Sequence, residues 1–159
     1  MLKKCGYNTE MIGKWHVGMY RDSFLPQNRG FDHFLGLYGG AGDYWTHETC
    51  FKPKVPKKIP KMCGYDLHEA YRGQEGIPRF DLNGTYSSDA FTDEIENRLK
   101  SWNRNTPLFT YLSLQVVHGP ISPKKRFVTS YTDIYRLFPW FKRTQMLGHV
   151  TSLGNKNHF

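Results

Sequence analysis

A lysine and a histidine stand two positions apart within residues 13–18, GKWHVG. Alternate side chains of an extended chain point to the same side, so we expect Lys14 and His16 to face one patch while Trp15 faces away. A lysine ammonium attracts anions, and an imidazole can exchange a proton near neutral pH. The pattern therefore indicates an anion-binding edge, and its plainer interpretation is a solvated strand end.

A second histidine, His118, follows a nearly continuous apolar run at residues 107–117, PLFTYLSLQVV. Such a run, rich in β-formers, favours a strand buried on both faces of a parallel sheet. We predict another strand at Thr9 to His16. Ligands of open α/β sheets bind beyond the carboxyl ends of the strands, so Lys14, His16 and His118 are predicted to share one sheet edge. His118 can alternatively serve only to cap its strand.

Between the two strands the sequence predicts an α/β alternation. A short aromatic strand or turn is expected at residues 31–36, and irregular chain at residues 51–80, where four prolines each remove a backbone donor. A helix is expected from Ser87 or Ser88, acting as N-cap, to about Asn103. The positions expected to form its apolar face are Phe91, Ile95, Leu99 and Trp102.

Composition narrows the possible function classes. The chain has 159 residues, enough for one ordinary domain, and carries a net charge of +8 that favours anionic partners. The basic residues are not accompanied by a zinc-finger, RNP-type or helix-turn-helix pattern, so a nucleic-acid-binding basic domain is the weakest alternative and we expect no nucleic-acid partner. No stretch reaches the roughly 18 apolar residues of a membrane span, and the first residues lack the apolar core of a signal peptide.

Two features point to a secretory or lysosomal compartment. Cys50 and Cys63 flank a basic, proline-punctuated segment that a disulfide would close, and Cys5 is left over. Asn83 begins an Asn-Gly-Thr glycosylation sequon in a polar turn.

Five stretches, in order, resemble a sulfatase of the arylsulfatase B type. Residues 6–18 resemble the second sulfatase signature, residues 29–36 the Arg-Gly-Phe-Asp segment, and residues 43–50 the Asp-Tyr-x-x-His-Glu-x-Cys stretch. Residues 86–99 and 107–120 resemble the later helix and the Leu-x-Leu-Gln-x-Val-His-x-Pro strand. The resemblance implies a partial alkaline-phosphatase-like α/β fold, with a mixed, largely parallel sheet flanked by helices. It covers residues 1–120 as part of the catalytic domain and leaves 121–159 as a divergent tail.

The resemblance also implies roles for individual residues. In that family a cysteine becomes formylglycine, whose hydrate attacks sulfur while Ca²⁺ and basic side chains hold the sulfate oxygens. Lys14 is similar to the lysine that grips sulfate. His16 is similar to the histidine that orients the hydrated aldehyde and takes its proton, and His118 to the group near the leaving oxygen, which either donates a proton or binds sulfate.

The sequence also departs from the family pattern. It has no Cys-x-Pro-Ser-Arg nucleophile motif, since Cys5 stands in a different context, and no match to the aspartate and Asp-Asn pairs that bind Ca²⁺. No metal ligand is therefore assigned, and we expect this internal fragment to be inactive by itself. The alternative is a non-catalytic basic remnant that binds sulfated glycosaminoglycan through the lysines of residues 52–61. His33, His47 and His68 are expected to be surface or structural residues.

Overall fold

The computed structural model describes residues 1–51, 60–119 and 122–124. Contacts divide the chain into two compact units, Met1–Pro120 and Ile121–Phe159. Most of the predicted basic loop, residues 52–59, and nearly all of the tail lie outside the described residues. Within the described residues, no helix is long and apolar enough to cross a membrane.

The described part of the first unit contains one α-helix and two sheets. The strands are β1 (Asn8–Lys14), β2 (His33–Leu37), β3 (Glu48–Phe51), β4 (Met62–Tyr65), β5 (Leu67–Tyr71), β6 (Ile77–Pro78) and β7 (Leu108–Ser113), and the helix, α1, is Ser87–Lys100. Five strands form a mixed sheet in the order β6-β5-β2-β1-β7, and β3 pairs with β4 in a separate hairpin. In the larger sheet β2, β1 and β7 run parallel. β5 is antiparallel to β2, and β6 is antiparallel to β5.

Strand β1 lies at the centre of the parallel group and approaches both neighbours closely. In the pairing register, Gly13 is opposite Gly36 on one side and Ser113 on the other. A methyl group at Gly13, whose φ is 112°, would overlap the Ser113 carbonyl, and a methyl group at Gly36 would overlap the Gly13 carbonyl. Only glycine fits this register, because any Cβ would meet backbone rather than a movable side chain.

The sheet buries an apolar cluster on each face. Under α1 the buried members are Ile12, Leu37, Leu67 and Phe91, with Tyr65, Leu82 and Ile95 packed around them. On the opposite face they are Met11, Phe34, Tyr38 and Ala70, with Trp15, Leu25 and Phe31. Met11 and Ile12 are neighbours in β1 and belong to opposite clusters. β1 therefore alternates between two covered faces, as a buried strand does.

Helix α1 begins at Ser87, so the predicted N-cap, Ser87 or Ser88, was wrong by one or two residues, and the helix ends three residues earlier than expected. Its N-cap is Tyr86, which makes no side-chain capping bond, whereas the hydroxyl of Ser87 donates to Gln115 at 2.9 Å. Phe91 is fully buried, but Leu99 is 54% exposed. The predicted apolar face is therefore covered only over the first half of the helix.

Three predicted elements were wrong in detail. β1 ends at Lys14 instead of His16, because His16 has a left-handed φ of 52°. Residues 62–78 form three strands, because only Pro78 of the four prolines falls within them and it lies on a two-residue edge strand. β7 is shorter than predicted and partly exposed, and among the described residues it stands at the edge of the sheet.

A single carboxylate, Asp32, ties the amino ends of these elements together. It accepts hydrogen bonds from the Thr9 backbone at 2.9 Å, from Lys3 at 2.6 Å and from Arg72 at 2.8 Å. Burial alone would raise the pKa of Asp32, but these hydrogen bonds outweigh burial and lower that pKa to about 2.

We expect Gly13→Ala and Gly36→Ala each to lower the free energy of unfolding by about 3 to 5 kcal/mol, because backbone must move to admit the methyl group. Urea unfolding of the full chain measures this. Gly64→Ala in β4, which has nothing within 4 Å of the new methyl group, is the control and should change stability by less than about 1 kcal/mol. Equal losses of stability in all three variants would contradict the close backbone contact of β1 with β2 and β7.

We expect Asp32 to make stability acid-sensitive. Its folded pKa of about 2 lies below the ordinary 3.8, so its contribution is complete above that value and is lost as the pH falls through 2. The free energy of unfolding of the wild type should therefore fall between about pH 4 and pH 2 more steeply than that of Asp32→Asn. Parallel stability curves for the two proteins would exclude this role.

Candidate active site

The candidate residues of the first motif lie at the carboxyl end of β1. Pairing with the β2 side continues past Lys14: the Trp15 amide donates to the Leu37 carbonyl at 2.8 Å and the His16 amide to the Tyr38 carbonyl at 3.1 Å. The left-handed backbone of His16 means that the two-residue alternation predicted for Lys14 and His16 does not hold. Lys14 is half-buried and His16 is exposed.

The loop after β2 supports the His16 ring. A side chain at Gly40 would overlap the His16 imidazole, so the ring packs directly on this glycine backbone. Buried Asp66 fixes the loop by accepting from the Tyr38 amide at 3.1 Å, the Gly39 amide at 2.9 Å and the Thr49 hydroxyl at 2.9 Å. Burial raises the pKa of Asp66, although these hydrogen bonds act in the opposite direction.

The indole of Trp15 closes the segment that follows His16. Its Nε1 atom donates to the Gly18 and Phe24 carbonyls, each at 3.0 Å. Its ring also packs edge-on against Phe31, with ring centroids 6.2 Å apart. The turn between Gly18 and Phe24 is therefore attached to the same short stretch that carries Lys14 and His16.

His118 reaches the same edge from β7, which is parallel to β1. The side chain of His118 is exposed, and its backbone is bound to buried Tyr44: the His118 amide is 3.1 Å from the Tyr44 hydroxyl, and that hydroxyl donates to the His118 carbonyl at 2.8 Å. Lys14, His16 and His118 thus lie at or beyond the carboxyl ends of adjacent parallel strands.

Gln115 holds the segment between β7 and His118 in place. It is 3% exposed, its amide donates to the Gly42 carbonyl, and its carbonyl accepts from the Ser87 hydroxyl at 2.9 Å. Gln115 therefore joins the glycine-rich loop, the start of α1 and the end of β7. Sequence reasoning did not single out Tyr44, Asp66 or Gln115, although Tyr44 and Gln115 lie within the stretches that carry the family resemblance.

The carboxylates beside this edge already have partners. Asp66 accepts three hydrogen bonds from the loop, and Asp43 accepts from the Trp45 and Thr46 amides at 2.8 Å each. Ca²⁺ takes six to eight oxygen ligands, several of them carboxylates free to face the ion. The carboxylates described at this edge are instead bound to loop donors.

One group of side chains in the described residues has metal-ligand chemistry, but it lies elsewhere. Candidate ligand atoms of His33, Glu69 and Glu94 lie within 4.8 Å of one another, and His33 begins β2, so the carboxyl end of that strand is about 13 Å away. Arg79 binds Glu69 at 2.6 Å, and its hydrogen bonds, with that of His33, lower the pKa of Glu69 despite burial. This group is best described as an internal ion-pair network.

The other histidines have structural contacts. His47 is fully buried with a φ of 56°, and its Nε2 atom is 3.0 Å from the Leu82 carbonyl. Burial lowers the pKa of His47, which favours the neutral ring. Nδ1 of His68 is 2.8 Å from the Asp66 carbonyl oxygen.

The covalent features predicted from the sequence lie on the β3-β4 hairpin and in the turn before α1. A disulfide joins Cys50 of β3 to Cys63 of β4, which are directly opposite each other in the hairpin, and Cys5 is free and exposed. Asn83 is exposed in the turn before α1. Both the disulfide and the sequon asparagine are therefore solvent-accessible.

We expect Asp66→Ala to lower the free energy of unfolding by about 2 to 4 kcal/mol, because three donors in and beside the loop lose their acceptor. Part of this cost is offset, because the variant no longer has to bury a carboxylate. Amide exchange at Gly39 should accelerate and the His16 ring signals should shift. Asp81→Ala, which removes an exposed carboxylate paired with Arg79, is the control, and unchanged exchange at Gly39 in the Asp66 variant would contradict the loop role.

Comparison with known proteins identifies the family. Residues 1–138 match the family model described as Sulfatase. Arylsulfatase J of Mus musculus is 39% identical over 136 residues, which cover 86% of this chain and 21% of that protein. N-acetylgalactosamine-6-sulfatase of Homo sapiens is 28% identical over 128 residues, covering 80% of this chain and 23% of that protein. The chain therefore spans less than a quarter of the length of these two relatives.

Solved structures agree with the sequence matches. The crystal structure of Ps i-CgsB in complex with k-i-k-neocarrahexaose superposes with a TM-score of 0.62 at 27% identity, over 84% of this chain and 29% of that chain. The predicted fold class, a partial alkaline-phosphatase-like α/β fold with a largely parallel sheet, is confirmed. The chain belongs to the sulfatase family.

Proposed function

We propose that this chain supplies part of the active site of a sulfuric ester hydrolase, with Lys14, His16 and His118 as its functional residues. The observation that carries the proposal is that all three lie at or beyond the carboxyl ends of adjacent parallel strands in a chain of the sulfatase family. Ligand sites of open α/β sheets lie at this edge.

Lys14 is proposed to bind the sulfate oxygens. None of the ion pairs among the described residues includes Lys14, so its charge is not neutralised by a described carboxylate. The transition state of sulfate-ester cleavage spreads negative charge over these oxygens, and a fixed cation in a site of low polarity stabilises that charge. A half-buried lysine beside the sheet edge meets this requirement.

His16 and His118 are proposed as the proton-handling groups. An imidazole titrates in the range that proton transfer near neutral pH requires. We assign to His16 the orientation and deprotonation of the family's hydrated aldehyde, and to His118 a place near the leaving oxygen, as proton donor or sulfate ligand. The Gly40 backbone fixes the His16 ring, and Tyr44 binds the backbone of His118.

Catalysis also requires a nucleophile and a metal ion. The sulfatase family uses a metal ion, and we propose Ca²⁺, which would supply positive charge at the sulfate oxygens; no residue described here is assigned to it. The sequence has no Cys-x-Pro-Ser-Arg motif for formylglycine formation. We therefore expect the isolated chain to bind a sulfate ester without hydrolysing it.

The proposed substrate is an aryl sulfate or a sulfated glycosaminoglycan, in keeping with the resemblance to the arylsulfatase B type. The positive net charge of the chain favours either anion.

We further propose a lysosomal or secreted location, which the disulfide and the exposed Asn83 support. Nucleic acid is not a proposed partner.

We expect Lys14→Ala to weaken binding of 4-nitrocatechol sulfate to the full chain by roughly tenfold to a hundredfold, because a charge-assisted hydrogen bond is lost. Calorimetry or chemical-shift titration measures the affinity, and product absorbance reports turnover. Lys100→Ala is the matched control, since Lys100 is exposed on α1 and pairs only with Glu96 among described residues. His16→Asn tests the second residue while retaining a side chain that tolerates the left-handed backbone.

Three results would change the proposal. Equal affinity of wild type and Lys14→Ala would remove Lys14 from the site, and turnover by the isolated chain would reveal a nucleophile outside the known motif. Heparin retention that survives Lys14→Ala and disappears when the lysines of residues 52–61 are neutralised would favour the non-catalytic glycosaminoglycan-binding alternative.

A further inference from the structure

The backbone of His118 is held by a single side-chain hydroxyl. Its amide donates to the Tyr44 hydroxyl at 3.1 Å, and the same hydroxyl donates to its carbonyl at 2.8 Å. A phenolic hydroxyl carries one donor and two acceptor positions, so both hydrogen bonds can form at once. We propose that Tyr44 is a positioning residue that fixes His118 at the carboxyl edge of the sheet; the importance of this for sulfate esters rests on the proposed function.

Tyr44 is itself rigidly held. It is 2% exposed, and its ring stacks on Tyr86 with centroids 5.6 Å apart and ring planes 15° apart. Its carbonyl accepts from the Ser87 amide at 2.8 Å, so its backbone is tied to the first residue of α1. Burial, stacking and a backbone hydrogen bond keep the Tyr44 side chain in one conformation. It can therefore hold the His118 backbone in a fixed position, as a supporting residue must.

The regular strand does not place His118 by itself. The pairing of β7 with β1 ends at Ser113, five residues earlier, and the intervening chain leaves the ladder. Between residues 114 and 119 the hydrogen bonds to other segments are those of Gln115 with Gly42, Ser87 and, at 3.3 Å from its backbone carbonyl, the Tyr44 hydroxyl, and those of His118 with Tyr44. Tyr44 is thus the described residue that binds both backbone polar groups of His118.

The variant Tyr44→Phe removes the hydroxyl and keeps the buried, stacked ring. We expect the amide of His118 to exchange with solvent about tenfold faster in this variant, which corresponds to the loss of one neutral hydrogen bond. The His118 ring signals should broaden or shift in the NMR spectrum of the full chain. Signals of buried His33 and His47 should stay unchanged, because their rings bind Glu69 and the Leu82 carbonyl instead of Tyr44.

Tyr38→Phe is the matched control. Tyr38 is 9% exposed, and its hydroxyl accepts from Gln27 at 3.3 Å. This variant also removes a buried hydroxyl, but it should leave the exchange rate and ring signals of His118 unchanged. A wild-type measurement adds a test that needs no variant: the His118 amide should be protected at least about tenfold relative to an unstructured chain.

The proposal is overturned if the His118 amide is unprotected in the wild type, if Tyr44→Phe leaves its exchange unchanged, or if the variant accelerates exchange uniformly throughout the sheet. A selective change at His118 supports it. Titration of both proteins with 4-nitrocatechol sulfate separates the two hypotheses. Absence of binding by the wild type refutes the proposed function alone, whereas selective exchange at His118 still identifies Tyr44 as its positioning residue.

Discussion

The close backbone packing of three parallel strands is the constraint on which the site depends. β1 lies between β2 and β7, and the glycines at positions 13 and 36 allow the strands to keep their register where a methyl group would strike backbone. Because the strands run the same way, all three end at one edge. Residues that are about a hundred positions apart in the chain, such as Lys14 and His118, are thereby delivered to the same side of the sheet.

Charge is arranged differently at the two ends of this sheet. Towards the amino ends, side-chain cations pair with carboxylates, as Lys3 and Arg72 do with Asp32 and Arg98 does with Glu10. Towards the carboxyl ends, Asp66 and Asp43 accept mainly from backbone amides. The first arrangement fastens strands to their neighbours. The second shapes loops while leaving the lysine charge available to an anion.

The sequence predicted those features that local pattern determines. The helix, the β1 core and the parallel placement of β7 followed from hydrophobic periodicity, and the positions of the candidate residues at strand ends followed from topology. The left-handed backbone of His16 could not be predicted from periodicity, because periodicity carries no signal for such a conformation outside glycine, and the packing of its ring on Gly40 joins positions distant in sequence. The extra strands in residues 62–78 were missed because prolines suggested irregular chain, whereas pairing orders them: β4 pairs with β3, β5 with β2, and β6 with β5.

Supporting residues were the least predictable part of the site. Tyr44 and Gln115 act through backbone groups of other segments, so their types and spacing give no chemical signal of their own. The mistaken burial of β7 has a related cause: an apolar run identifies a strand but not the number of its neighbours. In the described residues β7 has a partner on one side only.

That single-sided pairing gives β7 a second physical character. Among the described residues no strand pairs with its outer edge, and the side chains of Phe109, Tyr111 and Leu112 in this strand are 38%, 47% and 40% exposed. An exposed apolar edge strand is a template for adding another strand. The same strand that brings His118 to the site therefore makes the chain, at high concentration, a candidate for edge-to-edge aggregation.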